Sequence, residues 1–290
     1  MPETDASSTG STFDPKKAEA FAGRLLAALN DGAFCLMASI GHRTGLFDAM
    51  RDQPSMTSRE IASRAGLNER YVREWLGAMV TSGVVGVDTQ SVHYHLPLEH
   101  AAYLTRAAAT DNLAVFAQYV PLLGNVEDDI IECFENGGDV PYERFSRFLV
   151  VMAEDSSLSV LSSLESHILP PIPGLAEQLR RGVRGLDAGC GCGRILNRLA
   201  ELFPKSRFVG MDLSKEAIRA ARQEASAEGL KNVEFAAIDL SNFDQTAEPE
   251  SFDFITTFDA VHDQGKPLNV LKGIHPRSSP PISPARAPGR

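Results

Sequence analysis

"RGLDAGCGCGR", residues 184–194, places three glycines at alternate positions, Gly189, Gly191 and Gly193, directly after a short apolar strand that carries Asp187. Alternate glycines at the carboxyl end of a strand let backbone approach a ligand closely, and an acid just before them can take a cationic group. A dinucleotide fingerprint, G-x-G-x-x-G, needs its third glycine at position 194, which is Arg194. The loop therefore predicts a ligand bearing positive charge in place of a pyrophosphate, and it argues against a nicotinamide-dependent oxidoreductase.

The chain around the loop alternates. "VRGLDAG" reads as a strand, "RILNRLAELF" as a helix, "RFVGMD" as a strand, "KEAIRAARQEASAEG" as a helix, and "VEFAAID" and "FDFITTF" as two further strands. That order predicts an α/β fold, a Rossmann-like doubly wound parallel sheet of about four strands. Asp212 ends the second strand about 20 residues past the loop, where an acid reaches ribose hydroxyls. Asp239 ends the third strand, placed to meet an adenine edge. A sulfonium, an amino-acid tail, a ribose and an adenine together describe S-adenosylmethionine. Each acid alone is an ordinary strand-end or turn carboxylate. Three of them ending consecutive strands at one sheet edge make a set.

Upstream, residues 1–15 offer almost nothing to bury and read as a disordered tail. Apolar residues then recur at helical spacing (Leu25, Leu26, Leu29, Phe34, Leu36, Met37, Ile40), predicting two helices up to Met50. "MTSREIASRAGLNERYVREWLGAMVTSGVV", residues 56–85, reads as helix, turn, helix, with Thr57 and Glu60 as a capping box, Gly66 at the turn, and Trp75, Leu76 and Met79 facing a core. "VVGVDTQSVHYHL" follows as two short strands about a polar turn, completing a winged helix over residues 16–105. Winged helices often read DNA through their second helix, but here Arg70 and Arg73 are cancelled by Glu69 and Glu74, so interaction or dimerisation is the better expectation. Residues 106–180 look mainly helical and end in the Pro-broken "LPPIPGL", a lid or connector.

"GLDAGCGCGR", "FVGMD", "FAAID" and "FDFITTFDAVHD" resemble, in order and spacing, the successive motifs of class I S-adenosylmethionine-dependent methyltransferases. With the winged-helix start, residues 18–274 are similar to two-domain enzymes that methylate small molecules. The resemblance implies that Asp187, Gly189 and Gly191 line the methionine end of the cofactor, with Cys190, Gly193, Leu213 and Leu240 also among the cofactor-binding residues. It likewise implies that Asp212 holds the ribose, that Asp239 meets the adenine, and that Asp259 lies near the transferred methyl. It also implies a homodimer formed through the amino-terminal domain.

Methyl transfer from a sulfonium is an in-line displacement, and an acidic nucleophile also needs a base. His262, followed by Asp263, resembles the His-Asp step that supplies it in many O-methyltransferases, although Gln264 stands where those enzymes often have Trp. A histidine that merely hydrogen-bonds the loop is the other reading of His262. Tyr142, Arg144 and Phe145 either line a substrate pocket or pack as an amphipathic helix. His93 and His95, like Cys190 and Cys192, lack enough neighbouring ligands to predict a metal.

With 290 residues and 43% hydrophobic composition the chain can build a real core. A formal net charge of -10 disfavours nucleic acid as the main partner. Four scattered cysteines suit a reducing compartment, no uninterrupted apolar run approaches the roughly 20 residues of a membrane span, and the amino terminus lacks an apolar signal core. A cytoplasmic protein is expected. After "PLNVLKGIH" the chain runs into "PRSSPPISPARAPGR", which is too rich in proline to build strands, so residues 275–290 are expected to be a disordered tail on a truncated sheet whose activity is in doubt. Two rivals to a working enzyme remain at this stage: a winged-helix regulator that senses S-adenosylmethionine, and a non-catalytic dimerisation partner of a full-length methyltransferase.

Overall fold

The computed structural model describes residues 13–247 and 251–274. Most of the expected amino-terminal tail and all of residues 275–290 lie outside the described residues. The chain divides into two compact units, residues 1–105 and 106–290.

The first unit opens with α1 (Pro15–Thr44), a helix of 30 residues. Asp14 caps it by accepting from the backbone N–H groups of Lys16 and Lys17 at 2.9 and 3.3 Å, so the expected tail gives way to helix at its last residues. Gly45, at φ 73°, stops it and leads into α2 (Leu46–Met50). α3 (Ser58–Ala65) starts at the capping box read from the sequence: the Thr57 N–H donates to Glu60 Oε2 at 2.8 Å and the Glu60 N–H to Thr57 Oγ1 at 3.3 Å. It ends at Gly66 and is followed by α4 (Glu69–Thr81). Trp75, Leu76 and Met79 are buried as expected. The Trp75 ring meets Phe47 edge-on at 5.2 Å, and its Nε1 donates to the Met37 carbonyl at 2.8 Å. β1 (Gly86–Asp88) and β2 (His93–His95) form the antiparallel wing, and α5 (Leu98–Leu104) closes the unit.

Along α1, Phe21, Leu25, Leu26 and Leu29 are all at least half exposed. Among the described residues α1 is also the one helix long and apolar enough, by length and composition, to cross a membrane. A scan for an unbroken apolar run misses it because Arg24 and Asp31 interrupt the stretch.

In the second unit, α6 (Tyr119–Gly124), α7 (Glu127–Asn136), α8 (Phe148–Ser159) and α9 (Leu175–Arg181), joined by short tighter turns, confirm the helical reading of residues 106–180. β3 (Arg184–Ala188), α10 (Arg194–Leu202), β4 (Arg207–Asp212), α11 (Lys215–Ala227), β5 (Val233–Ala237), α12 (Phe243–Thr246), β6 (Phe254–Thr256) and α13 (Pro267–Ile274) follow. The four strands are parallel in the order β5-β4-β3-β6.

Period-two alternation decides which residues face which layer. Phe208 and Phe235 join Leu196, Leu199, Ile218 and Ala221 in the core beneath α10 and α11. Leu186 and Ala188 point the other way, to Phe243, Phe252 and Val270 beneath α12 and α13. Helices on both faces make the sheet doubly wound, as the strand-helix alternation predicted.

Candidate active site

The path of the chain runs outward from β3 through β4 to β5 and then crosses back to β6 on the other side of β3. In an open parallel sheet, the carboxyl edge at such a reversal is where ligands bind. A cleft lies there. It is lined by the glycine loop and Asp187, by Asp212, Leu213 and Ser214 after β4, by Leu240, and by Phe258 to Ala260 with Asp263 and Gln264. Phe148, Leu149, Met152, Ala153 and Ser156, one face of α8, complete it.

Asp187 is 2% exposed, and its Oδ1 accepts from Thr256 Oγ1 at 2.8 Å. Burial pushes its carboxyl up to about 7, with the Thr256 hydrogen bond opposing the rise and the charge of Asp212 adding to it. Arg194 is the one cation among the described residues lining the cleft. Its guanidinium bonds to Ala153 and Ser157.

Asp212 spans the loop and the turn after β4. Its Oδ2 accepts from the Gly191 N–H at 2.9 Å and its Oδ1 from the Ser214 N–H at 2.8 Å. Each oxygen keeps a lone pair for a ligand hydroxyl. The Gly189 and Cys190 N–H groups both donate to the Met211 carbonyl, at 2.8 and 3.0 Å, which fastens the start of the loop to β4.

The three loop glycines are glycine for different reasons. A Cβ at Gly189 would collide with the Ala260 methyl, and one at Gly193 would lie 2.6 Å from the Phe235 ring and 2.7 Å from Ala221. A Cβ at Gly191, where φ is 52°, would meet nothing within 4 Å. All three glycines line the cleft, and a side chain would meet a neighbour at Gly189 and Gly193 but not at Gly191. The thiols of Cys190 and Cys192 are both pushed up, first by burial, and stay protonated. A protonated thiol is a poor nucleophile.

The remaining sequence-predicted residues divide. Leu213, Leu240, Asp259 and Asp263 line the cleft. Asp239 lies outside it, exposed, capping the next turn through the Ser241 N–H at 2.8 Å. The His262 side chain is 68% exposed and outside the lining, with Nε2 3.3 Å from Asp263 Oδ1. Tyr142 lines the cleft and stacks on Phe148 at 5.0 Å, its phenol pushed up by burial. Arg144 instead pairs with Asp129, at 2.6 Å at the closest, and Phe145 leans on Phe148 at 5.9 Å, so neither lines the cleft. Sequence reading missed Thr256, Arg194 and the cleft face of α8. The last of these is legible after the fact in the four-residue spacing of Phe148, Met152 and Ser156.

Residues 32–106 match an Rv2258c-like winged helix-turn-helix domain, and residues 179–280 match a methyltransferase domain. An uncharacterized protein of Rickettsia prowazekii is 32% identical over 137 residues, covering 43% of this chain and 54% of its own length. The malonyl-[acyl-carrier protein] O-methyltransferase of Bacillus cereus is 30% identical over 120 residues, covering 41% of this chain and 38% of its own length. The chain thus spans about half the length, or less, of these curated relatives. Human N-acetylserotonin methyltransferase, solved with S-adenosylmethionine, superposes over 94% of this chain and 79% of its own with a TM-score of 0.59 at 19% identity. The winged-helix unit, the parallel sheet and the loop-borne cleft agree with these matches: the chain joins a winged helix-turn-helix domain to a methyltransferase domain, on a fold shared with solved S-adenosylmethionine-dependent methyltransferases.

Proposed function

We propose that the protein transfers a methyl group from S-adenosylmethionine to a small-molecule acceptor held between the glycine loop and α8. The carrying observation is Asp187, a buried carboxyl with raised proton affinity that faces the cleft and has no cation among its bonded partners. A cationic ligand group takes the place of that proton, and the sulfonium and ammonium of the cofactor supply such a group. Asp212 offers acceptors to a ribose, and Gly191, Leu213, Leu240, Asp259, Gly189, Gly193 and Cys190 supply the surrounding surface. Asp239 belongs to the adenine end of this reading, its second carboxylate oxygen carrying no hydrogen bond from Ser241. When bound, the cofactor provides the electrophilic methyl. The chain's own residues orient the acceptor and exclude water, and the His262–Asp263 pair accepts the acceptor's proton, supported by the 3.3 Å contact and by Asp263's place in the lining.

The apolar, exposed side of α1 supports a homodimer formed through the amino-terminal unit. On α4 the cations are matched on their own helix, Arg70 with Glu74 at 3.0 Å and Arg73 with Glu69 at 3.9 Å, which speaks against a DNA-reading role. Four free cysteines support a reducing, cytoplasmic setting.

Calorimetric titration of S-adenosylmethionine into the chain and into Asp212→Ala tests the reading. Binding in the micromolar range that weakens at least about tenfold in the variant supports it. A folded chain that binds no cofactor removes it.

A further inference from the structure

Arg194 stands where a dinucleotide loop keeps its last glycine, and none of the cofactor contacts above uses its side chain. Its Nη1 donates to the Ala153 carbonyl at 3.0 Å and to Ser157 Oγ at 2.9 Å, and its Nε lies 3.7 Å from Glu224 Oε2. Ser157 in turn donates to the same Ala153 carbonyl at 2.6 Å. One guanidinium therefore ties the residue after the glycine loop to the middle of α8 and to α11. A planar, forked donor holds direction as well as distance, which an ammonium does not.

The tie matters because of what α8 presents. Its Phe148, Met152 and Ser156 side line the cleft. Elsewhere on the helix, Asp155 accepts from the Tyr119 hydroxyl at 2.6 Å and Glu154 from Gln118 Nε2 at 2.8 Å. α8 is thus gripped by the preceding helical segment and, through Arg194, by the cofactor loop.

We propose that Arg194 is a positioning residue that makes the placement of α8 depend on the glycine loop, so that a cofactor seated on the loop fixes the acceptor side of the cleft. The inference rests on the reading of the cleft as an S-adenosylmethionine site. A ligand that orders Gly191 to Gly193 orders the next Cα in the chain, and the guanidinium carries that order across to Ala153 and Ser157. The loop's own fastenings, Gly191 to Asp212 and Gly189 and Cys190 to Met211, do not involve this side chain. Cofactor binding should therefore survive its removal while the coupling to α8 does not.

Hydrogen–deuterium exchange over residues 148–159, with and without saturating S-adenosylmethionine and alongside calorimetric Kd, tests this in the full chain, Arg194→Met and Ser157→Ala. In the full chain the cofactor should slow exchange of α8 by about tenfold or more. In Arg194→Met, at cofactor concentrations that saturate it by its own Kd, the slowing should fall below about twofold, and Ser157→Ala should lose at least about half of it. A residue that merely braces α8 would raise exchange equally with and without cofactor and leave the ratio intact, and that result overturns the proposal. So does full slowing in Ser157→Ala, which covers the case of Arg194→Met failing to fold, and so does a full chain that binds cofactor without slowing α8. A full chain that does not bind S-adenosylmethionine overturns the reading of the site itself and the proposal with it.

Discussion

Thr256 Oγ1 donates to Asp187 Oδ1 at 2.8 Å across the parallel pair β3–β6, two residues 69 positions apart in the chain, and it favours the charged form of a carboxylate that burial drives toward neutrality. The folded carboxyl titrates at about 7 against an ordinary 3.8. Between those values the native state holds a proton that the unfolded chain has released, so stability falls as pH rises through that window. Asp187→Asn removes the penalty. The variant should match the parent near pH 4 and exceed it at pH 8 by on the order of 2–4 kcal/mol, read from denaturant melts at the two pH values. It should also bind S-adenosylmethionine poorly, so the group that weakens the fold is the one that serves the site.

Thr256→Val tests the same relationship from the other side. S-adenosylmethionine affinity should strengthen as pH rises through the Asp187 titration, and the variant should move that midpoint upward, because the hydrogen bond that lowered it is gone. Calorimetry from pH 6 to pH 9 reads the shift. A midpoint that stays put would show that the hydroxyl does not control the charge of Asp187.

Gly193→Ala should destabilise the fold by about 2–4 kcal/mol, since the new methyl meets the Phe235 ring and Ala221 and the backbone lies at φ 72°. Gly191→Ala, with open space around it, carries only the cost of its positive φ, about 1 kcal/mol. Urea midpoints rank the two.

His262→Ala should lower turnover about 100-fold or more with cofactor Kd unchanged, the usual scale of a lost general base. Single-turnover kinetics with saturating cofactor separate the two quantities. Equal turnover removes the base assignment and leaves His262 as an exposed loop residue.

Leu25→Glu combined with Leu29→Glu should convert a dimer to a monomer in sedimentation velocity, because both side chains lie on the exposed apolar side of α1. A parent chain that is already monomeric shows that this side of α1 serves something other than self-association.

What could be read from the sequence was what neighbours along the chain decide. Thr57 and Glu60 are three residues apart, Gly66 and Gly45 end helices by their own φ, and the strand-end acids follow from the alternation around them. What could not be read depends on partners brought from far away. Arg194 meets Ser157 across 37 positions, and the side chains that make Gly189 and Gly193 necessary, Ala260 and Phe235, belong to other strands and loops. Asp239 shows the limit of a strand-end rule: a carboxylate two residues past β5 has a local use, capping the next turn, that competes with any ligand.

The chain has one tryptophan, Trp75, which is 4% exposed, packed on Phe47 and bonded to the Met37 carbonyl, all within residues 1–105. Its emission is therefore an optical label that nature has placed in only one of the two units. A denaturation curve followed by tryptophan fluorescence reports the winged-helix unit, while a cofactor-dependent shift in a separate calorimetric transition reports the unit that holds the cleft. One unmodified sample can therefore establish whether the two melt together or apart.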